Sequence, residues 1–335
     1  MEMDSDSEPN TASNPSKEEK IIATFLKTIF LYQILTVTSD ASISLLLGIF
    51  KYFMHLMITL LGIDLLKPIM ERFPNSLHNA RKMLGLIGDD FIKYVVCSKC
   101  NKLYQPSQKV NANKRCNMVH FPNHPNQSGR QPCNNKLYKK IFCMNQGSNL
   151  FRPRKTYCYR SIKQTLEMML TKPSFKKMLH SKIQPSTEHK ILTDIYDGNI
   201  WKTFVDDQGE PFYSDPRNIG FIMNVDWFQP CKNTEYSLGV IFMAIINLPR
   251  EERFKWEDVI VCGIIPGPSE PKFNINSYLS PIVDELEIAW HGVMIKDGGI
   301  FVKNSYRFAL ICLSSDIPAN RKCGGFIGFN AKKGF

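Results

Sequence analysis

Four cysteines and two aspartates are the residues whose types and spacing can do chemistry. Cys97-Ser98-Lys99-Cys100 is a CxxC pair, Cys116 lies sixteen positions beyond Cys100, and Cys133 seventeen beyond Cys116. His120 and His124 fall between the last two. Thiolates and imidazoles at such intervals suit tetrahedral zinc, whose charge keeps the thiols deprotonated. The expected ligands are Cys97, Cys100, Cys116 and Cys133, with His120 or His124 as the substitute. A redox CxxC or unrelated thiols are the competing reading, but no thioredoxin-like βαβ pattern flanks the pair. Four protein ligands leave no vacant position, so the role expected of the metal is structural.

The aspartates sit differently. Asp226 closes the apolar run FIMNVD, and Asp316 follows the apolar run YRFALICL ninety residues later. An unpaired charge is costly inside a sheet, so each marks a strand end. If the two strands are neighbours, their carboxylates emerge at one edge and repel unless a cation screens them. Mg²⁺ takes carboxylate oxygens, and paired metals can activate a water or a 3′-hydroxyl against a phosphodiester. Two solvated loop aspartates are the alternative.

The elements that must position these residues follow from periodicity. Residues 1–18 are polar and acidic, the reverse of a secretory signal, and read as a disordered tail. Residues 19–95 read as a helical region. Within it 41–63 is long enough to cross a bilayer, but Lys51 and His55 interrupt it, so a core or partner-facing helix is expected and a membrane is not. Residues 96–142 are polar, Asn- and Pro-rich, and short of apolar content, as a metal-organised module would be. Residues 143–190 read as a basic helical linker, with a break before Pro173. From 191 the pattern turns to strands at 218–225, 238–248 and 259–265, a helix at 276–290, a hairpin turn at Asp297-Gly298-Gly299, and a last strand at 306–313. Three successive strands suggest an antiparallel meander, and a helical crossover makes the next pairing parallel. The fold class is therefore mixed α+β.

Charge singles out the middle of the chain. Of the net +11, residues 97–190 hold 19 Lys and Arg against only Glu167 and Glu188, while both flanking segments are mildly acidic. A polyanion, nucleic acid first, is the partner such asymmetry favours. Self-association is a second expectation.

The stretch GFIMNVDWFQPCKNTEYSLGVIFMAIINLPREERFKWEDVIVCGIIPGPSEPKFNINSYLSPIVDELEIAWHGV resembles the transposase domain of CACTA (En/Spm-type) DNA transposons. The segments ALICLSSDIPANRKCGGFIG, LTDIYDGNIWKTF and CSKCNKLY…HFPNHP do so too. The resemblance implies a ribonuclease H-like fold over 191–335, with Asp226 and Asp316 as the first two acids of an Asp-Asp-Glu triad using Mg²⁺ for DNA nicking and strand transfer. It also implies a nuclear location, the cytoplasm being the default without it. The family's third acid lies well beyond the second, and no Asp or Glu follows Asp316 here. The expectation is a truncated, incomplete domain without catalysis, with Glu285 (or Asp284) on the helix as a weak substitute. The alternative is a non-enzymatic DNA-binding or interaction protein of transposase descent.

Overall fold

A computed structural model of the chain describes residues 16–326 apart from 37, 87–89, 107–112, 121, 124, 127–129, 144–147, 182–191, 231–233, 272–273, 298–299 and 302–304. Two units emerge, Met1–Asp90 and Phe91–Phe335.

Among the described residues the first unit holds the α-helices α1 (Lys17–Thr36), α2 (Asp40–Leu61), α3 (Lys67–Arg72) and α4 (Leu77–Met83). A capping box opens α1, with Ser16 and Glu19 exchanging side-chain and backbone hydrogen bonds. Ser39 caps α2 by accepting from Ser42 N–H, and Gly62 ends it in the left-handed conformation. Ile22, Leu26 and Phe30 of α1 meet Ile43, Leu47 and Met54 of α2 in a small core with Phe73 and Ala80. The rest of α2 faces outward, with Leu45, Ile49, Tyr52, Phe53, Leu60 and Leu61 exposed. The helix thus joins the core along one face only. By length and composition alone it is long and apolar enough to cross a membrane.

The second unit is built on one seven-stranded sheet. Its strands are β1 (Ile92–Val96), β2 (Leu103–Tyr104), β5 (Thr156–Tyr159), β6 (Asn218–Phe228), β7 (Leu238–Ile245), β8 (Val259–Ile265) and β11 (Arg307–Leu313), in the order β11-β6-β7-β8-β5-β1-β2. β6, β7 and β8 form the antiparallel meander. The helix α8 (Asn276–Trp290) then crosses over, and β11 returns parallel to β6. Tyr278, Leu279, Ile282, Leu286 and Ala289 lie at helical spacing and are buried in the core with Phe221, Met223, Ile241 and Ile260.

The sheet does not stop at β8. Residues 143–190, expected as a helical linker, supply β5, which pairs with β8 and hands the sheet on to β1. The run Thr156-Tyr157-Cys158-Tyr159 alternates half-buried and buried, a two-residue period too short to stand out among basic neighbours. The same segment holds the helices α5 (Ile162–Leu170) and α6 (Pro173–Leu179), with Pro173 at the start of the second. Two short ribbons lie outside the main sheet: β3 (Tyr138–Cys143) with β4 (Ser148–Pro153), and β9 (Lys296–Asp297) with β10 (Ile300–Phe301). The helix α9 (Ile317–Cys323) follows β11.

Candidate metal centre and carboxylate edge

Strand β1 delivers Cys97 directly into a tight turn. Cys97 N–H donates to Lys102 O at 3.0 Å and Asn101 N–H donates back to Cys97 O at 2.9 Å. Asn101 takes a φ of 62°, which Asn tolerates better than most residues. The second pair is assembled across two extended segments. Cys116 N–H donates to Asn135 O and Asn134 N–H to Cys116 O, both at 2.9 Å, while Cys133 N–H donates to Met118 O at 2.7 Å. Asn134, with φ 52°, follows Cys133 as Asn101 follows Cys100. A CxxC is therefore unnecessary for the second pair, because backbone pairing puts Cys133 beside Cys116.

The four sulfurs all lie within 4.8 Å of one another. Cys97 Sγ is 3.7 Å from Cys133 Sγ, and Cys100 Sγ is 3.4 Å from Cys116 Sγ. A tetrahedron with zinc–sulfur bonds of about 2.3 Å has edges of ~3.8 Å, so the donor set fits a metal such as zinc with little adjustment. Tyr104 Oη donates to Cys116 Sγ at 3.1 Å, and the Asn135 amide to Cys97 Sγ at 3.5 Å, as outer-shell donors to thiolates do. Burial works against the Cys97 thiolate, yet the Cys100 and Lys99 backbone N–H groups and the Asn135 amide outweigh it and lower the pKa to about 7. Burial raises the Cys100 and Cys133 thiols, so these two ionise beside Cys97 only when a cation is there to reward it.

His120 is exposed and stands apart from this cluster. It lines a cleft of about 380 Å³ with Lys99, Arg154, Lys155 and the loop around Pro268. His124 lies outside the described residues. Among the described residues cysteine alone completes the quartet.

The two aspartates reach a common edge by a mechanism the strand pattern only partly anticipated. Asp226 does not end its strand: β6 continues to Phe228, paired with β7 through Asp226 opposite Val240. What ends is the pairing on the other side, at Met223 opposite Leu313 of β11. Beyond it the backbone of β6 is satisfied by serines. Ser314 N–H donates to Met223 O at 2.7 Å, and Val225 N–H donates to Ser315 Oγ at 2.7 Å. Asp226 and Asp316 are the next residue on each side, and both are exposed. Asp316 is also the N-cap of α9, with Oδ1 accepting from Ala319 N–H at 2.7 Å, which leaves Oδ2 for another partner.

Glu285 is committed elsewhere. Its carboxylate accepts from Ser161 Oγ at 2.8 Å, Lys163 N–H at 2.7 Å, Ile162 N–H at 3.1 Å and the Tyr159 hydroxyl, so that it closes the N-terminus of α5. Asp284 is exposed and, among the described residues, accepts from Ser280 on its own helix, at 3.4 Å. Among the described residues the cysteine quartet is the group of three or more candidate metal ligands that the fold gathers, and no third carboxylate joins Asp226 and Asp316.

The segment LTDIYDG has a structural task. Asp194 caps the 3₁₀ turn Ile195–Asp197 and takes a bidentate ion pair from Arg253, both contacts at 2.8 Å. Tyr196 donates to Ile246 O and Leu248 O at 2.8 and 2.6 Å, fastening this turn to the end of β7. Sequence reasoning did not single out Asn101, Asn134, Tyr104 or Ser315. The repeated Cys-Asn dipeptide was a legible sign of the first two. The others act through long-range pairing that no local pattern announces.

Fold and site thus define a mixed α/β unit with four gathered cysteines that could hold a metal and two exposed aspartates past the β6–β11 pairing. Residues 189–333 match the family described as Transposase family tnp2, a span that includes both aspartates and Glu285. The match supports transposase descent for this part of the chain. A comparison with curated proteins finds no match.

Proposed function

We propose that this protein is a DNA-binding protein of CACTA-type transposase descent, in which a ribonuclease H-like unit carries two of the acids of a strand-transfer site, with no third gathered beside them among the described residues. The observation that supports the reading is the β6–β11 pairing, with Asp226 and Asp316 each one residue past the Val225–Ser315 hydrogen bond. The meander, crossover and parallel return support the ribonuclease H-like assignment.

Asp226 and Asp316 would hold Mg²⁺ through carboxylate oxygens, a donor type that suits this hard cation. When bound, the ion would neutralise charge developing on a phosphodiester. Asp316, fixed by its N-cap bond, presents Oδ2, and Asp226 rides on a rigid strand. Two carboxylates with no third beside them among the described residues leave a metal pair underheld, so this chain binds DNA without nicking or strand transfer. The cysteine quartet holds zinc in a structural role, and the acid-free basic segment around it meets phosphate. A nuclear location follows from this reading.

The test is a DNA-binding and cleavage assay on the purified full chain with Mg²⁺ and then Mn²⁺. Salt-dependent binding of duplex DNA without cleavage is expected. Metal-dependent nicking that Asp226→Asn abolishes would overturn the loss of catalysis, and absence of binding at low salt would overturn the DNA reading itself.

A further inference from the structure

The ribbon of β3 and β4 is a separate two-stranded sheet, outside the seven-stranded one. Ribbons of this size are marginal in water without something to cover them. Phe142 is 62% exposed on it, and Leu150 and Phe151 are exposed as well. Its register is costly too. Lys139 lies directly opposite Arg152, and like charges facing one another across a strand pair destabilise it. No acidic side chain is near in sequence to offset them: residues 91–166 hold 15 Lys and Arg and no Asp or Glu. Lys140 lies opposite Phe151 on the other face, so a cation and an aromatic ring are presented side by side.

The root of the ribbon, by contrast, is firmly held. Leu137 and Tyr138 are buried against Cys97, Cys100 and Cys116, and Arg154 N–H donates to Leu137 O at 2.9 Å where the strands part. The chain then passes directly into β5 of the main sheet. An arm that is fixed at its base, cationic on both faces and apolar near its end suits a polyanion better than another protein surface. Two strands also fit the major groove of a duplex, about 12 Å wide.

We propose that the β3–β4 ribbon is the arm by which this protein grips duplex DNA, with Lys139 and Arg152 on phosphates, Lys140 and Phe151 on the facing groove wall, and the cysteine-bound metal fixing its direction. The proposal rests on the DNA-binding reading above and names the element that performs it.

The test compares the metal-loaded full chain with the double variant Lys139→Ala/Arg152→Ala on a fluorescent 30-base-pair duplex across a salt titration. Removing two phosphate contacts is expected to lower the slope of log affinity against log salt by about 2, and to weaken binding roughly 30-fold at 0.15 M salt. Metal content stays at the wild-type level and the melting temperature does not fall, since the substitution relieves a like-charge pair. A charge-matched control, Lys82→Ala/Lys177→Ala, which removes exposed lysines of α4 and α6, keeps the wild-type slope. If wild type binds and the ribbon variant shows unchanged slope and affinity, or the control loses as much, the ribbon proposal falls while the DNA reading stands. If wild type does not bind the duplex, the DNA reading falls first.

Discussion

Val225 N–H donates a 2.7 Å hydrogen bond to the side-chain hydroxyl of Ser315, and that contact sets the relative position of Asp226 and Asp316. Main-chain pairing between β6 and β11 has already ended at Met223 and Leu313. Ser315 therefore extends the strand edge with a side chain where the backbone no longer reaches. Removing it leaves Val225 N–H unpaired in a strand whose side chain is buried. Ser315→Ala should cost about 1–2 kcal/mol of stability in denaturant unfolding and loosen the geometry of the two acids.

The acids themselves differ in what they hold up. Asp226→Asn changes an exposed side chain and should alter stability by less than about 0.5 kcal/mol. Asp316→Ala removes the N-cap of α9 and should cost about 1 kcal/mol, whereas Asp316→Asn, which still caps, costs little. Equal destabilisation by all three substitutions, measured by thermal melting, would contradict this division.

Glu285 should behave as a structural clamp. Glu285→Ala leaves the buried start of α5 without its acceptor and should cost about 2–3 kcal/mol, with Glu285→Gln recovering part of it. A variant that keeps wild-type stability but changes metal or DNA behaviour would place Glu285 at the carboxylate edge after all.

Metal should be integral to the Phe91–Phe335 unit. One zinc per chain is expected by elemental analysis, falling to none in Cys116→Ser. Chelation should strip amide exchange protection from β1 and the two cysteine turns, because three buried thiols then have no charge-stabilised partner. Protection in α1 and α2, which belong to the other unit, should be unchanged.

Acid should weaken the Asp194–Arg253 lock. Burial opposes the Asp194 carboxylate, but the Arg253 guanidinium and Ile195 N–H outweigh it and hold its pKa below the usual value. A depressed folded pKa means the stabilisation is present above the unfolded value of about 3.9 and is lost as pH falls through the folded value. The stability gap between wild type and Asp194→Asn should be constant above about pH 5 and shrink below pH 4. At neutral pH, Asp194→Ala should cost about 3 kcal/mol, because Arg253, only 3% exposed, keeps its buried charge.

Much of this architecture was legible in local patterns. The α8 limits, the three-strand meander, the parallel return of β11 and the cysteine quartet all express short-range rules: helical spacing, strand-length apolar runs, and ligand types at zinc-like intervals. Residue type and periodicity act through neighbours in the chain, so the sequence by itself determined these. It also determined that the cationic block lies around the cysteines.

Tertiary structure decided what depends on partners far away in the chain. Tyr157 and Tyr159 became strand residues because β8 and β1 offered edges on either side. Cys133 joined Cys116 through backbone pairing instead of a second CxxC. Glu285, one polar residue among several on α8, was claimed by the open end of α5. Asp226 and Asp316 come to follow one another across the β6–β11 edge only because β6 outruns β11 and two serines bridge the difference. Each is a non-local hydrogen-bonding requirement, and a buried N–H or carboxylate is satisfied by whichever group the packed chain brings within reach.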